Sequence, residues 1–147
     1  MVVDALAPYV GRICGAVALD QGEDALQEAM VAIVKNLRSL REPAAVHAWA
    51  RRIAVREAVR VASGSARSIP IDPSTLGAGV AVDDGATEVE VRAVLAQLSP
   101  SHRAVLVLRH LEGLDEAEMA EVLGVASGTV KSRLHRAGAA FRARWTS

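Results

Sequence analysis

Apolar side chains recur every three or four residues along most of this chain, the spacing of helices that bury one face. From Asp4 to about Leu19 the sequence is rich in Ala, Val, Leu and Ile, with Gly11 and Gly15 interrupting it. From Glu23 to about Leu40 the stripe is Leu26, Met30, Ile33, Val34 and Leu37, which leaves Gln27, Glu28, Lys35 and Arg38 for the other faces. Pro43 suits the first turn of a third helix, where a missing N–H costs nothing. That helix runs to about Ala62 through Val46, Trp49, Ile53, Ala54 and Val61. The pattern then stops. Gly64, Pro70, Pro73, Gly77, Gly79 and Gly85, with the acidic pair Asp83-Asp84, cannot sustain a helix and read as a linker. Periodicity resumes near Thr87, a candidate N-cap with Glu88 and Glu90 behind it, and the stripe is Val91, Val94, Leu95 and Leu98. Pro100 opens the next helix, with Val105, Leu106, Leu108 and Leu111 on its buried side and Gly113 ending it. The pattern predicts an all-α protein of two small helical modules, residues 1–63 and 87–147, joined by a flexible linker over 64–86.

The most informative stretch runs from Leu114 to Val125. Asp115 and Glu118 have the spacing of a capping box. Ala120 is small enough for two helices to cross closely, and Gly124 stands where a helix ends in the left-handed conformation. A second helix follows with Val130 and Leu134 facing inward. Short helix, glycine turn, second helix is the plan of a helix-turn-helix. The second helix carries Ser127, Thr129, Lys131, Ser132, Arg133, His135 and Arg136 at its polar positions. Such side chains reach phosphates and base edges when a helix lies in the major groove.

Charge supports this reading only when resolved along the chain. The total is zero, 17 basic against 17 acidic side chains. Yet Glu112, Asp115, Glu116, Glu118 and Glu121 fall together without a base among them. Lys131, Arg133, Arg136, Arg142 and Arg144 follow without an acid. Composition fixes the class: 51% of the 147 residues are hydrophobic and 3% aromatic, a mixture dominated by helix formers rather than strand formers. No apolar run approaches the roughly 20 residues of a membrane span, and Met1-Val2-Val3-Asp4 lacks the basic start of a signal peptide. Cys14 is the single cysteine, so intramolecular disulfides and cysteine-rich zinc sites are excluded and a cytoplasmic setting is expected. His47, His102, His110 and His135 lack metal-ligand spacing, and no nucleophile–base pair or phosphate-binding glycine loop is evident. No cofactor, metal or catalytic role is therefore assigned.

Leu95 to Arg109, the Glu112-Gly113-Leu114 turn and Gly128-Thr129-Val130-Lys131-Ser132-Arg133-Leu134 resemble region 4 of bacterial RNA polymerase sigma factors, and most of all the extracytoplasmic-function (ECF) group. Asp24-Ala25-Leu26-Gln27-Glu28, and Ala48-Trp49 followed by Arg52-Ile53-Ala54, resemble region 2 of the same family. The resemblance implies a protein that is not itself an enzyme. Its implied partners are core RNA polymerase, through the β′ coiled coil and the β flap, promoter DNA, and an anti-sigma factor, with no membrane insertion. Asp24, Gln27 and Glu28 are the implied polymerase contacts. Trp49, Arg52 and Arg56 would meet the −10 element, and the second helix of the helix-turn-helix the −35 element.

Departures from the family are specific. Arg56 and Arg60 stand where the family has Asn and Asp, an aromatic of the second helix is Met30 or a neighbour, and the N-cap serine before the recognition helix is Ala126. Two alternatives therefore stay open: a helix-turn-helix regulator that works without polymerase, and a degenerate decoy that binds polymerase without opening DNA.

Overall fold

The computed structural model describes residues 2–66 and 85–146, and among these every regular element is helical. Helix α1 spans Val2–Ala18, α2 Gly22–Asn36 and α3 Val46–Ala66. Short 3₁₀ turns at Leu19–Gln21, Leu37–Ser39 and Pro43–Ala45 make the corners. The second described segment holds α4 (Gly85–Ala96), α5 (Pro100–Leu106), a π-helical turn (Val107–Leu111), α6 (Glu116–Leu123) and α7 (Ser127–Trp145).

Helices α1 to α3 pack as a three-helix unit. Leu6, Val10, Ile13 and Val17 of α1 meet Ala25, Ala29 and Ile33 of α2 and Ala50, Ala54 and Ala58 of α3, all buried. The alanines allow the backbones to approach closely. Gly22 takes this furthest: a Cβ there would lie 3.0 Å from the Cα of Gly15, so the start of α2 rests directly on α1. Cys14 is fully buried, as expected of a small hydrophobe, and burial pushes its thiol up to about 12.

Several sequence expectations shift. Val34, assigned to the buried stripe of α2, is 57% exposed. Helix α3 continues through Ser63 and Gly64 to Ala66, and α4 already begins at Gly85, so Thr87 lies inside the helix rather than capping it. The remainder of the expected linker falls outside the described residues. Leu111, expected in the core, is 52% exposed, while Val107 is buried. The cause is the π turn: Glu112 N–H donates to the Val107 carbonyl at 3.0 Å, five residues back, which widens the helix and turns its last residue outward.

The two modules are packed together. Helices α5 and α6 lie on α3, and α5 also lies on α1, within one continuous core. Besides the exposed Arg92–Asp20 ion pair at 3.6 Å, two more enclosed polar anchors cross the seam. Arg103, only 6% exposed, donates from Nε to the Val17 carbonyl at 2.7 Å and from Nη1 to the carbonyls of Leu98 (2.6 Å) and Leu95 (3.3 Å). One guanidinium thus meets the carbonyl of Val17 near the end of α1 and that of Leu98 in the turn after α4, and adds to the bond that Leu95 accepts from Leu98 N–H. Burial lowers Arg103 to about 10, which leaves it charged at neutral pH.

The second anchor is Glu112. Its carboxylate accepts from the Tyr9 hydroxyl at 2.5 Å and pairs with Arg51 Nη1 at 3.5 Å. Burial first, and then the hydrogen bond to Glu112 and that carboxylate's charge, push the Tyr9 phenol from 10 up to about 12, against the opposing pull of Arg51. A raised phenol means that between these values the unfolded chain holds fewer protons than the folded one. The contact's stabilisation is therefore complete below pH 10 and lost as the pH climbs to about 12. Tyr9 is the chain's single tyrosine, so its phenolate absorbance reports this directly. We expect its titration to start well above that of a free tyrosine, and to move down toward the free value in Glu112→Gln.

Candidate nucleic-acid interface

The helix-turn-helix is built by local bonding. The Asp115 side chain accepts from Glu118 N–H at 2.8 Å, and Glu118 Oε1 accepts from Asp115 N–H at 3.0 Å, so the capping box is complete. Helix α6 ends at Gly124, whose φ of +68° is a conformation that glycine adopts without penalty. Leu114, Met119 and Val122 hold α6 on the core, and Val130 and Ala137 hold α7.

This leaves one face of α7 outward. Ser127, Thr129, Lys131, Ser132, His135 and Arg136 are exposed, as the sequence pattern predicts, whereas Arg133 is half-buried and turned toward α3. The Ser132 hydroxyl donates back to the Gly128 carbonyl at 3.4 Å. Ala126 occupies the N-cap with extended backbone (φ −69°, ψ 150°) and supplies no side-chain acceptor, and Ser127 does not take its place. The first N–H groups of α7 are therefore free to meet an anion. Ala126→Ser has the backbone a cap needs and should add about 1 kcal/mol. Chemical denaturation of the two proteins side by side checks this.

On the first module, Asp24, Gln27 and Glu28 share the exposed side of α2, opposite buried Ala25, Ala29 and Ile33. The exposed residues Val31 (50%) and Val34, the second of which the sequence pattern assigned to the buried stripe, continue that side at helical spacing and give the patch an apolar end. Glu28 Oε2 also pairs with Arg60 Nη2 at 3.3 Å, and Arg60 is held by Glu57 at 2.7 Å. On α3, Arg52 and Arg56 are exposed, but Trp49 is half-buried and packed against the core. The structure therefore brings together the α7 residues other than Arg133, and separately the α2 residues, while Trp49 is partly taken up by the core.

Two features escaped the sequence pattern. Arg103 is one; it follows buried-face spacing with Ala104, Val107 and Leu108, which is the signal that could have found it. The other is an apolar groove of about 550 Å³ between α4, the π turn and α7, lined by Leu95, Leu106, Leu111 and Phe141 among others. Phe141 and Trp145 stack beside it, 5.8 Å between centroids.

Comparison with known proteins covers both modules. Residues 2–68 match the family Sigma-70 region 2, and residues 88–140 match Sigma-70, region 4. The RNA polymerase sigma-E factor of Streptomyces avermitilis is 34% identical over 124 residues, 82% of this chain and 68% of that protein. The ECF RNA polymerase sigma factor SigL of Mycobacterium tuberculosis is 34% identical over 142 residues, 91% of this chain and 78% of that protein. Among solved structures, the sigma factor RpoE of Bartonella quintana, crystallised with the anti-sigma factor NepR, shares the fold. Its TM-score is 0.68 at 20% identity, covering 97% of this chain and 92% of that one.

Proposed function

The chain belongs to the ECF group of RNA polymerase sigma factors, and from that premise we propose that it holds core RNA polymerase through α2 and sets α7 in the major groove of a −35 element. The observation that carries the reading is the face of α7. A complete helix-turn-helix presents Thr129, Lys131 and Arg136 outward, beside amide groups that no side chain caps. Lys131 supplies charge to phosphates, and Arg136 has the planar fork that reads guanine bidentately. The Asp24, Gln27 and Glu28 side of α2, with Val31 and Val34, offers the mixed acidic and apolar surface for polymerase β′. The groove at Leu95, Leu106 and Phe141 suits the β flap. An anti-sigma factor is the further partner proposed, by analogy with the solved relative.

A second reading is favoured by α3. With Trp49 packed on the core and Arg60 engaged by Glu28 and Glu57, strand opening would fall to Arg52 and Arg56. The alternative is a polymerase-binding protein that does not melt DNA. Run-off transcription with purified core polymerase tests both. Product from a promoter carrying both elements supports the sigma reading, and its loss in Gln27→Ala/Glu28→Ala locates the polymerase contact. Stable polymerase binding with no product on any promoter tried would favour the second reading.

A further inference from the structure

We infer that the cleft bounded by α3, α5, α6 and α7 is a binding site for a single phosphate group, free or terminal on a small molecule, held between Arg56 and Arg133. The cleft has a volume of about 160 Å³. Its floor is apolar, with Val55, Ala104 and Val122 buried. The polar side chains that line it are Arg56 of α3, Ser101 of α5 and Arg133 of α7, and among the described residues no aspartate or glutamate joins them.

Arg133 is the residue that asks for a ligand. Elsewhere in the described residues the enclosed arginines hold partners: Arg51 pairs with Glu112, and Arg103 meets three carbonyls. Arg92, at the rim, pairs with Asp20. Arg133 is half-buried, yet among the described residues it makes neither an ion pair nor a hydrogen bond, and the same holds for Arg56 across the cleft. A charge drawn from water without a partner is costly. Two like charges on one small cleft repel, and an apolar floor screens them poorly. A shared anion turns both terms favourable. Guanidinium forks match phosphate oxygens, and the Ser101 hydroxyl adds a donor.

Size and charge set the ligand class. Small-molecule pockets commonly enclose roughly 300–1,000 Å³, so this cleft is too small for a whole nucleotide. A water takes about 30 Å³ of liquid, which leaves room for one tetrahedral oxyanion and a little solvent. A phosphate group brings three acceptor oxygens and about −1.5 to −2 of charge at neutral pH. A carboxylate brings two oxygens and a single charge, a poorer match to two guanidiniums. The site stands independently of what α7 does with DNA.

The test uses the full chain. Titrated calorimetrically with inorganic phosphate, against sodium chloride at equal ionic strength, the wild type should bind one phosphate per chain. Arg133→Gln and Arg56→Gln should each weaken binding roughly ten-fold, the loss of one charge-assisted contact. Arg38→Gln removes the same charge from an exposed position elsewhere and should change nothing. Melting supplies a readout that a merely structural arginine would not give. In chloride, either cleft variant should melt at or above the wild-type temperature, because a repelling charge is gone. In saturating phosphate the order should reverse, because ligand stabilises only the protein that binds it. Should Arg133→Gln not fold, Ser101→Ala keeps both charges and should weaken phosphate binding by a smaller factor. Adenosine monophosphate is the companion probe: affinity equal to that of phosphate identifies a terminal phosphate as sufficient, and weaker binding identifies the free ion. Equal stabilisation by chloride, phosphate binding that survives both arginine substitutions, or cleft variants that melt below wild type in chloride would overturn the site.

Discussion

Arg103→Met lowers the melting temperature by roughly 6–12 °C, the expected consequence of removing about 3 kcal/mol from a domain of this size. The substituted side chain nearly fills the space but offers no donor. Three carbonyls then lose a charged donor: Val17 at the end of α1, Leu98 in the turn after α4, and Leu95 in α4, which keeps its bond from Leu98 N–H. Charged hydrogen bonds of this kind contribute about 1.5–3 kcal/mol each. Relief from burying the guanidinium offsets part of the loss, which is why the net figure is far below their sum. Arg103→Lys should recover little, because one ammonium cannot reach carbonyls on two helices as a planar fork does. Differential scanning calorimetry measures the effect. A melting temperature within a degree or so of wild type would show that the anchor is dispensable.

The second large effect is on DNA. Lys131→Ala should weaken binding to all sequences alike, and Arg136→Ala should weaken the cognate duplex more than a scrambled one. A bidentate arginine contact discriminates by about 1–3 kcal/mol, or roughly 5- to 150-fold. Arg133→Ala should behave like Arg136→Ala in the polymerase-bound protein. In the free chain its side chain is turned toward α3, and its loss should have less effect there. Competition assays with promoter and scrambled duplexes at one salt concentration separate these outcomes. If all three variants retain the wild-type ratio, α7 does not read sequence.

What could be read in advance divides by distance along the chain. The capping box, the left-handed Gly124 and the inward Val130 follow from bonding within four residues, and all were legible. Ser99 capping α5 by accepting from His102 N–H at 3.2 Å is equally local. The seam was not legible, because Arg103 and Val17 are 86 residues apart and Tyr9 and Glu112 are 103 apart. Nothing near Tyr9 announces its acceptor. Thr87 fails as a cap because α4 continues upstream through Gly85, and weak intrinsic propensity there is overridden. On α2, Val34 looked like core because it is apolar, although it lies on the opposite side from Ala25 and Ala29. A valine that the core does not claim marks a surface, which only the packed helices reveal.

The π turn at Val107–Leu111 has a genetic corollary. It holds one residue more than an α-helix closing the same bond would need. Deleting a codon within it would restore regular winding and rotate everything downstream by about 100° about the helix axis. Glu112 would swing away from Tyr9 and Arg51, while the capping box and Gly124, specified by their own local sequence, would be inherited intact. A single in-frame insertion or deletion at this turn is thus enough to couple the two modules or uncouple them, without altering a residue of either surface proposed to meet polymerase or DNA.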